Sequence, residues 1–312
     1  MIKQSFRGSG KLLLTSEYFI LDGAKGIGLP TKFGQTMDVE TDESPSDKPT
    51  LQWMGYTSDQ TCWINVSFDL ETFDVLTSEF NNHEDIQNVL RQARIMNPEF
   101  LNSKTNINVK TALEFPNDWG LGSSSTLLYM VAKWAKICPF DLLKETFGGS
   151  GYDIACAGAN GPLIYQIPSV GVKPVWNDVA FIPPFADNLY FVHQNKKQSS
   201  RAGVSHYRKL NPPKEANIER LHELLEQALS AQTLEEFETI IEEHEQLIGN
   251  ALQFPCVKET LFSDYWGQVK SLGAWGGDFV LVTSNKGTEE TLAYFQERGY
   301  QTILKYKEMV SA

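Results

Sequence analysis

Apolar and polar positions follow different repeats in the two halves of the chain. In the first half, residues 107–113 alternate, with Ile107, Val109 and Thr111 on one face, as expected of a strand. Residues 86–96 instead repeat at helical spacing and predict an amphipathic helix. Helical spacing then dominates residues 215–252, with a break predicted near residue 232, where Thr233 and Glu236 resemble a capping box.

The same patterns predict the remaining elements. Further strands are predicted at residues 11–21, 36–41, 51–68, 162–167, 189–193, 279–283 and 302–306, and further helices at residues 140–147, 257–272 and 288–298. Strands that come first and helices that come later favour the α+β class over a doubly wound parallel sheet.

Composition and charge argue against two classes of partner. The chain has 312 residues and a formal net charge of −12, and a negative surface repels a phosphate backbone, so we predict no nucleic-acid partner. No apolar run approaches the roughly 18 residues that suggest a membrane span. The residues before the first motif leave no room for a signal peptide. We therefore expect a cytoplasmic protein without membrane contact. The cysteines include no CxxC pair, which favours reduced thiols, although disulfides are an alternative.

A turn rich in glycine and serine precedes the helix predicted after residue 122. Glycine lets the backbone approach a ligand closely, and the N-terminus of a helix attracts an anion. The segment therefore predicts a phosphate-binding loop, with an ordinary capped helix as the alternative. Neither a Walker lysine nor a Rossmann spacing follows, so the loop is of another type. Its residues are Gly120, Leu121, Gly122, Ser123, Ser124 and Ser125.

Three segments occur in an order that one enzyme family shares. The first, GKLLLTSEYFIL from Gly10, is similar to PGKLLLxGEYxVL of phosphomevalonate kinases. The second, from Pro116 to Thr126, is similar to PxxxGLGSSAA, and the third, GAWGGDF from Gly273, resembles the late glycine loop GAGGGxC. Together with GSGYDIA from Gly149, these segments give the chain a resemblance to the GHMP kinases, which include galactokinase and the homoserine, mevalonate and phosphomevalonate kinases.

The resemblance implies a fold and an activity. The fold would be the two-domain GHMP kinase fold, with a ribosomal protein S5 domain 2-like N-terminal domain at residues 1–172 and a ferredoxin-like C-terminal domain at residues 173–312. The activity would be ATP- and Mg²⁺-dependent phosphorylation of a small-molecule alcohol, either mevalonate or phosphomevalonate, in isoprenoid precursor synthesis. Two alternatives stay open: an ATP-dependent diphosphomevalonate decarboxylase, and a non-catalytic member that binds a nucleotide or metabolite. A homodimer is also left open.

The resemblance also assigns catalytic, nucleotide and metal residues. Asp153 in GSGYDIA matches the catalytic aspartate, although aspartate is also a common helix cap. Lys11 matches the lysine that lies near that aspartate. The six residues from Gly120 to Ser125 would line ATP, and the hydroxyl of Ser124 would contact Mg²⁺. The family's metal-binding glutamate falls on Leu142 here, so Glu145 is the nearby candidate.

A last group of residues is expected around the acceptor alcohol. Its members are Glu17, Ser199, Arg201, Gly276 and Gly277. The glutamate matches the GEY position of the first motif and is equally consistent with a buried structural partner. The segment KKQSSR from Lys196 is faintly like the SSR segment of the decarboxylases and would hold an anionic group, with a basic surface loop as the alternative. Trp275 replaces a small residue, where a bulky side chain could crowd the phosphates.

Overall fold

Strands and helices follow one another along the whole chain in the computed structural model, which describes residues 1–81, 83–169 and 171–311. The strands are β1 (Ile2–Leu13), β2 (Gly26–Pro45), β3 (Thr50–Tyr56), β4 (Cys62–Asp69), β5 (Val75–Ser78), β6 (Thr105–Leu113), β7 (Leu163–Gln166), β8 (Val175–Asp178), β9 (Leu189–His193), β10 (Val269–Ser271), β11 (Phe279–Thr283) and β12 (Ile303–Lys305). The helices are α1 (Glu84–Met96), α2 (Ser123–Ala135), α3 (Pro139–Glu145), α4 (Tyr152–Gly158), α5 (Ser200–Leu210), α6 (Glu215–Ser230), α7 (Leu234–Leu252), α8 (Val257–Leu261), α9 (Thr288–Gln296) and α10 (Tyr306–Met309).

The chain divides into two units, and each is built from several segments. The first unit contains Met1–Gly10, Phe33–Asn117 and Leu121–Gly158, and the second contains Lys11–Lys32, Asp118–Gly120 and Ala159–Ala312. Strand β2 therefore has residues in both units. The domain limits expected from the sequence, 1–172 and 173–312, stay a prediction.

The first unit contains a mixed sheet covered by helices. Its strands lie in the order β5-β4-β3-β6-β2, and β3 and β6 are parallel while the other neighbours are antiparallel. Strand β3 alternates buried and partly exposed positions, with Trp53 fully buried. The same hydrophobic core includes Val109 of β6, Leu90 of α1, and Leu128 of α2. The predicted amphipathic helix at residues 86–96 is thus confirmed as α1, and its apolar face is the buried one.

The second unit contains a four-stranded antiparallel sheet in the order β10-β11-β9-β12. Helices α5 to α8 lie between the first and second of these strands in the chain, and α9 lies between the third and fourth. This is the β-α-β-β-α-β connection of ferredoxin-like domains. The ferredoxin-like part of the predicted fold is therefore confirmed. In the same unit, Gly26–Gly28 of β2 pairs with β7, and β7 pairs with β8.

Two predicted elements differ from the structure. The helix expected at residues 257–272 is wrong: α8 ends at Leu261, and residues 269–271 form strand β10. Gly267 explains the change, because a Cβ there would lie 2.1 Å from the carbonyl oxygen of Thr283 on β11, and only glycine allows that approach. The strand expected at residues 11–21 is also wrong beyond Leu13, where the chain enters a turn in which Ser16 and Tyr18 have left-handed backbone angles.

Other predictions are confirmed or refined. The break between α6 and α7 falls where it was expected, and Thr233 and Glu236 form the predicted capping box. The segment at residues 51–68 forms two antiparallel strands, β3 and β4, instead of one. Helix α5 had no counterpart among the elements predicted from the sequence, where its first two residues belong to the segment KKQSSR. Within the described residues, no helix combines the length and the apolar character that a membrane crossing requires.

Candidate active site

The phosphate-binding loop predicted from the sequence leads directly into helix α2. Gly122 precedes the helix with φ +88°, and its carbonyl oxygen accepts the N–H groups of Ser125 and Thr126 at 3.1 and 3.0 Å. Within the described residues, no side chain caps the start of this helix. The hydroxyl-bearing side chain of Ser124 is exposed. The first turn of α2 therefore presents backbone N–H groups that no side chain of the described residues caps, next to the exposed hydroxyl of Ser124. These features favour the binding of an anion.

The candidate catalytic aspartate lies in the first turn of α4, another helix of the first unit. Asp153 follows three glycines with left-handed backbone angles, Gly148, Gly149 and Gly151, and lies half-buried in the first turn of α4. Its Oδ1 accepts the N–H of Ile154 at 3.0 Å, and its Oδ2 accepts the hydroxyl of Ser125 from α2. The structure thus joins the aspartate to the helix that follows the phosphate loop.

The second unit holds the candidate lysine beside the first glycine of the loop. The ammonium of Lys11 donates to the carbonyl oxygen of Gly120 at 2.9 Å. A Cβ at Gly120 would lie 2.2–2.5 Å from the carboxylate atoms of Asp278, so glycine is needed there. Asp278 is buried and has φ +54°, and its Oδ1 accepts the N–H of Gln198 at 3.1 Å. Burial raises the pKa of Asp278, while the Gln198 N–H and the charge of Lys11 act in the opposite direction.

The third glycine loop is fixed by its own tryptophan. Trp275 is 4% exposed, and a Cβ at Gly249 of α7 would lie 3.3 Å from its ring. Its backbone N–H donates to the hydroxyl of Tyr18 at 3.2 Å. The indole is therefore a core side chain of the second unit, and the crowding of phosphates expected from its size has no basis in this packing. Gly277 lies where a Cβ would come within 2.6 Å of the carbonyl oxygen of Lys196.

Glu17, expected near the acceptor, lies in a buried cluster of charged groups in the second unit. It is fully buried, and its Oε1 accepts from the ammonium of Lys270. Its Oε2 lies 3.5 Å from Nε2 of His244, which accepts the N–H of Ser16 at 2.8 Å. Burial raises the pKa of Glu17 to about 7 and holds the pKa of His244 well below its usual value. Glu17 is thus a buried residue with an ionic partner, as the structural alternative in the sequence analysis expects.

Most of the remaining site residues lie at exposed positions, whereas Gly277 is buried. Ser199 caps α5, because its hydroxyl accepts the N–H of Ala202 at 3.3 Å, and Arg201 is exposed in the first turn of the same helix. Glu145, at the end of α3, is exposed, and Leu142 is fully buried in the core. The described part of the chain contains no group of three or more histidine, cysteine, aspartate or glutamate residues that could hold a metal ion. The metal role of Glu145 and the acceptor roles stay predictions; the acceptor residues are Glu17, Ser199, Arg201, Gly276 and Gly277.

Sequence reasoning missed three contacts of the site. These are the hydroxyl of Ser125 on Asp153, the carboxylate of Asp278 against Gly120, and the hydroxyl of Tyr18 on the third loop. The first had a visible signal, because serine and threonine stand at positions 125 and 126 where the second motif has two alanines. The other two join residues far apart in the chain and have no local signal.

The chain has the fold of the GHMP kinases. A Listeria innocua protein aligns with a TM-score of 0.72, 17% identity and 97% coverage of each chain. Phosphomevalonate kinase from Streptococcus pneumoniae, solved with phosphomevalonate and AMPPNP, aligns with a TM-score of 0.68 and 16% identity, over 98% of this chain and 100% of its own. Mevalonate kinase from Methanococcus jannaschii aligns with a TM-score of 0.64 and 15% identity, over 95% of both chains. No family model and no curated protein matches the sequence.

Proposed function

We propose that the chain is an ATP- and Mg²⁺-dependent kinase that transfers a phosphoryl group to the hydroxyl of mevalonate or phosphomevalonate. The observation that carries the proposal is the hydrogen bond from Ser125 to Asp153, which joins the helix after the phosphate loop to the candidate general base. Phosphoryl transfer needs little else from a protein than positioned phosphates, compensating charge and a group that takes the hydroxyl proton.

The start of α2 would hold the phosphates. Its first N–H groups and the partial positive charge of the helix N-terminus favour the charged oxygens of a nucleotide. Gly122, with φ +88°, lets the backbone come close to them. Lys11 supplies a positive charge at Gly120, the first glycine of the same loop.

Asp153 would accept the proton of the acceptor hydroxyl. The oxygen of the alcohol then forms its bond to the γ-phosphorus while the bond from that phosphorus to ADP breaks, and the proton passes to the carboxylate. A glycine-rich approach supports this role, because a Cβ at Gly148 or Gly149 would meet no atom within 4 Å, which leaves room beside the aspartate's helix.

The oxygen ligands that the chain offers near the loop suit a magnesium ion that is held largely by phosphate oxygens. Mg²⁺ prefers hard oxygen ligands and keeps several waters, so it requires few protein groups. Ser124 offers an exposed hydroxyl at the start of α2, and Glu145 is the candidate carboxylate. When bound, the ion would neutralise charge on the phosphate oxygens.

Within this reaction we favour phosphomevalonate over mevalonate as the acceptor. Phosphomevalonate carries an additional phosphate, which requires additional cations in its site. Lys196, Lys197 and Arg201 are exposed and lie within six residues in the second unit, the two lysines just before α5 and the arginine in its first turn.

An acceptor screen with purified protein, coupled to ADP release, tests the proposal. We expect turnover with phosphomevalonate, less with mevalonate, and a fall of at least about 100-fold for Asp153→Asn, because the general base is lost. Nucleotide binding should survive in that variant. Asp47→Asn, which changes an exposed aspartate in a surface turn, is the matched control and should retain full turnover.

Two results would contradict the proposal. Near-normal turnover of Asp153→Asn would leave this residue as a helix cap, and nucleotide binding without turnover on any acceptor would favour a non-catalytic protein. Release of carbon dioxide from carboxyl-labelled diphosphomevalonate would identify a decarboxylase instead. A clear preference for mevalonate would overturn the acceptor but leave the kinase chemistry intact.

A further inference from the structure

Two hydroxyl side chains replace the two alanines of the second motif, and the structure uses them differently. Thr126 donates to the side-chain oxygen of Gln35 at 2.7 Å and lies 3.0 Å from the carbonyl oxygen of Ser123, so it serves the packing of the first unit. Ser125 donates to the carboxylate of Asp153 on another helix. The resemblance to the GHMP kinases instead implies that Ser125 contacts the nucleotide, together with the five residues before it.

The bond from Ser125 gives Asp153 a donor at each carboxylate oxygen. Oδ1 accepts the N–H of Ile154 at 3.0 Å, and Oδ2 accepts the hydroxyl of Ser125. The χ2 torsion of an aspartate is broad, so a single donor leaves the carboxylate plane poorly defined. Two donors from different helices fix that plane. Ser125 is only 8% exposed, so water competes little for its hydroxyl.

We propose that Ser125 is a positioning residue for Asp153, which orients the carboxylate oxygen that takes the proton of the acceptor alcohol. This inference rests on the proposed kinase function. A carboxylate oxygen has two lone-pair positions, so Oδ2 accepts from Ser125 and keeps a second site for the proton of the acceptor. Small displacements of a catalytic group cost large factors in rate. The serine therefore acts on the chemical step and not on nucleotide affinity.

Ser125→Ala tests this role without threatening the fold. Alanine is the residue of the motif at this position and the best helix former. We expect kcat to fall by about 10-fold, within the range that misplacement of a catalytic group costs, while the KM for ATP changes by less than about twofold. Ser230→Ala on α6, whose hydroxyl donates to the backbone carbonyls of Glu226 and Gln227 in the same helix, is the control and should change neither constant. A raised KM for ATP with an unchanged kcat would overturn the proposal in favour of a nucleotide contact.

A double-mutant cycle separates positioning from an independent effect. If Ser125 acts through Asp153, Ser125→Ala should cost nothing further in an Asp153→Asn background, because the group that it positions is already lost. A second loss of about 10-fold in that background would refute the proposal. Normal turnover of Asp153→Asn alone would instead refute the proposed function, so the two failures are distinguishable.

Thermal unfolding gives a readout that needs no acceptor. Ser125→Ala should lower Tm by about 2 °C in the native background and leave Tm unchanged in an Asp153→Ala background, where the hydroxyl has lost its partner. Equal shifts in both backgrounds would show that the two side chains are not coupled, and the positioning role would fall whatever the substrate.

Discussion

The buried cluster around Lys270 gives the sharpest prediction for stability. Lys270 is 1% exposed, and its ammonium donates to Glu17 and, at 2.8 Å, to the carbonyl oxygen of Ser271. Glu245, 3% exposed, also interacts with its charge and accepts from the N–H and hydroxyl of Ser271 at 3.0 and 2.9 Å. Lys270→Met keeps most of the volume but leaves two buried carboxylates without this positive charge. Breaking a buried ion pair in this way costs about 3–5 kcal/mol.

The loss of stability in Lys270→Met should grow as the pH rises. Burial raises the pKa of Glu17 to about 7, above its unfolded value near 4.5, so the folded state holds this proton more tightly. Stability from such a group is present below the unfolded pKa and is lost as the pH rises through the folded pKa. Lys270 opposes that rise, and its removal should raise the pKa of Glu17 further. The same direction applies to Glu245, whose pKa is also raised by burial.

The neighbouring histidine acts in the opposite direction and sets the pH range of the measurement. The pKa of His244 is lowered well below 6.5, so its contribution is lost as the pH falls below that value. Between pH 7 and 9 this histidine is largely neutral in both states and adds little slope. In that range the free energy of unfolding of Lys270→Met should fall by up to about 1.4 kcal/mol per pH unit for each carboxylate that stays protonated in the folded state. The free energy of unfolding of the native protein should change less.

Denaturant unfolding at pH 7, 8 and 9, followed by tryptophan fluorescence and circular dichroism, measures this difference. Lys209→Met, which removes an exposed lysine of α5, is the control and should stay within about 0.5 kcal/mol of the native protein. The double variant Glu17→Gln/Lys270→Met should recover part of the loss, because one buried charge is gone. A Lys270→Met protein as stable as the control, or a penalty that is equal at all three pH values, would refute the reasoning.

Two further predictions concern ligands. Gly122→Val places a branched side chain at φ +88°, a backbone angle that glycine adopts readily and valine does not, and should raise the KM for ATP. Turnover and nucleotide binding measure this effect, and unchanged affinity in a folded variant would mean that the nucleotide binds elsewhere. Arg201→Ala should raise the KM for the phosphorylated acceptor by about 10- to 100-fold and leave that for ATP unchanged, since one charge-assisted contact to phosphate is lost; steady-state kinetics with Lys209→Met as control decides, and full activity would remove Arg201 from the site.

Local patterns predicted those parts of the fold that depend on local interactions. Helix α2 follows from a glycine-serine turn and helical spacing, and the break before α7 follows from the pair Thr233 and Glu236. The helix expected at residues 257–272 failed because its apolar residues serve a strand whose partner, β11, is not visible in the local pattern. Likewise, the ionic partner of a buried Glu17 could not be identified, since Lys270 is 253 positions away. What the sequence lacked was the identity of contacts between distant segments.

Trp275 shows how such a distant contact changes a functional argument. Judged by size alone, a tryptophan in the third glycine loop supports a protein that has lost its phosphate site. The direction of a loop side chain is set by tertiary packing, however, and here Gly249 of α7 leaves space for the indole while Tyr18 binds the backbone N–H of the same residue. The indole thus anchors the loop from the core side, and Gly276 and Gly277 remain the small residues beside it. The non-catalytic alternative therefore loses this support, and the remaining argument for it is that the metal-binding glutamate of the family falls on Leu142 in this chain.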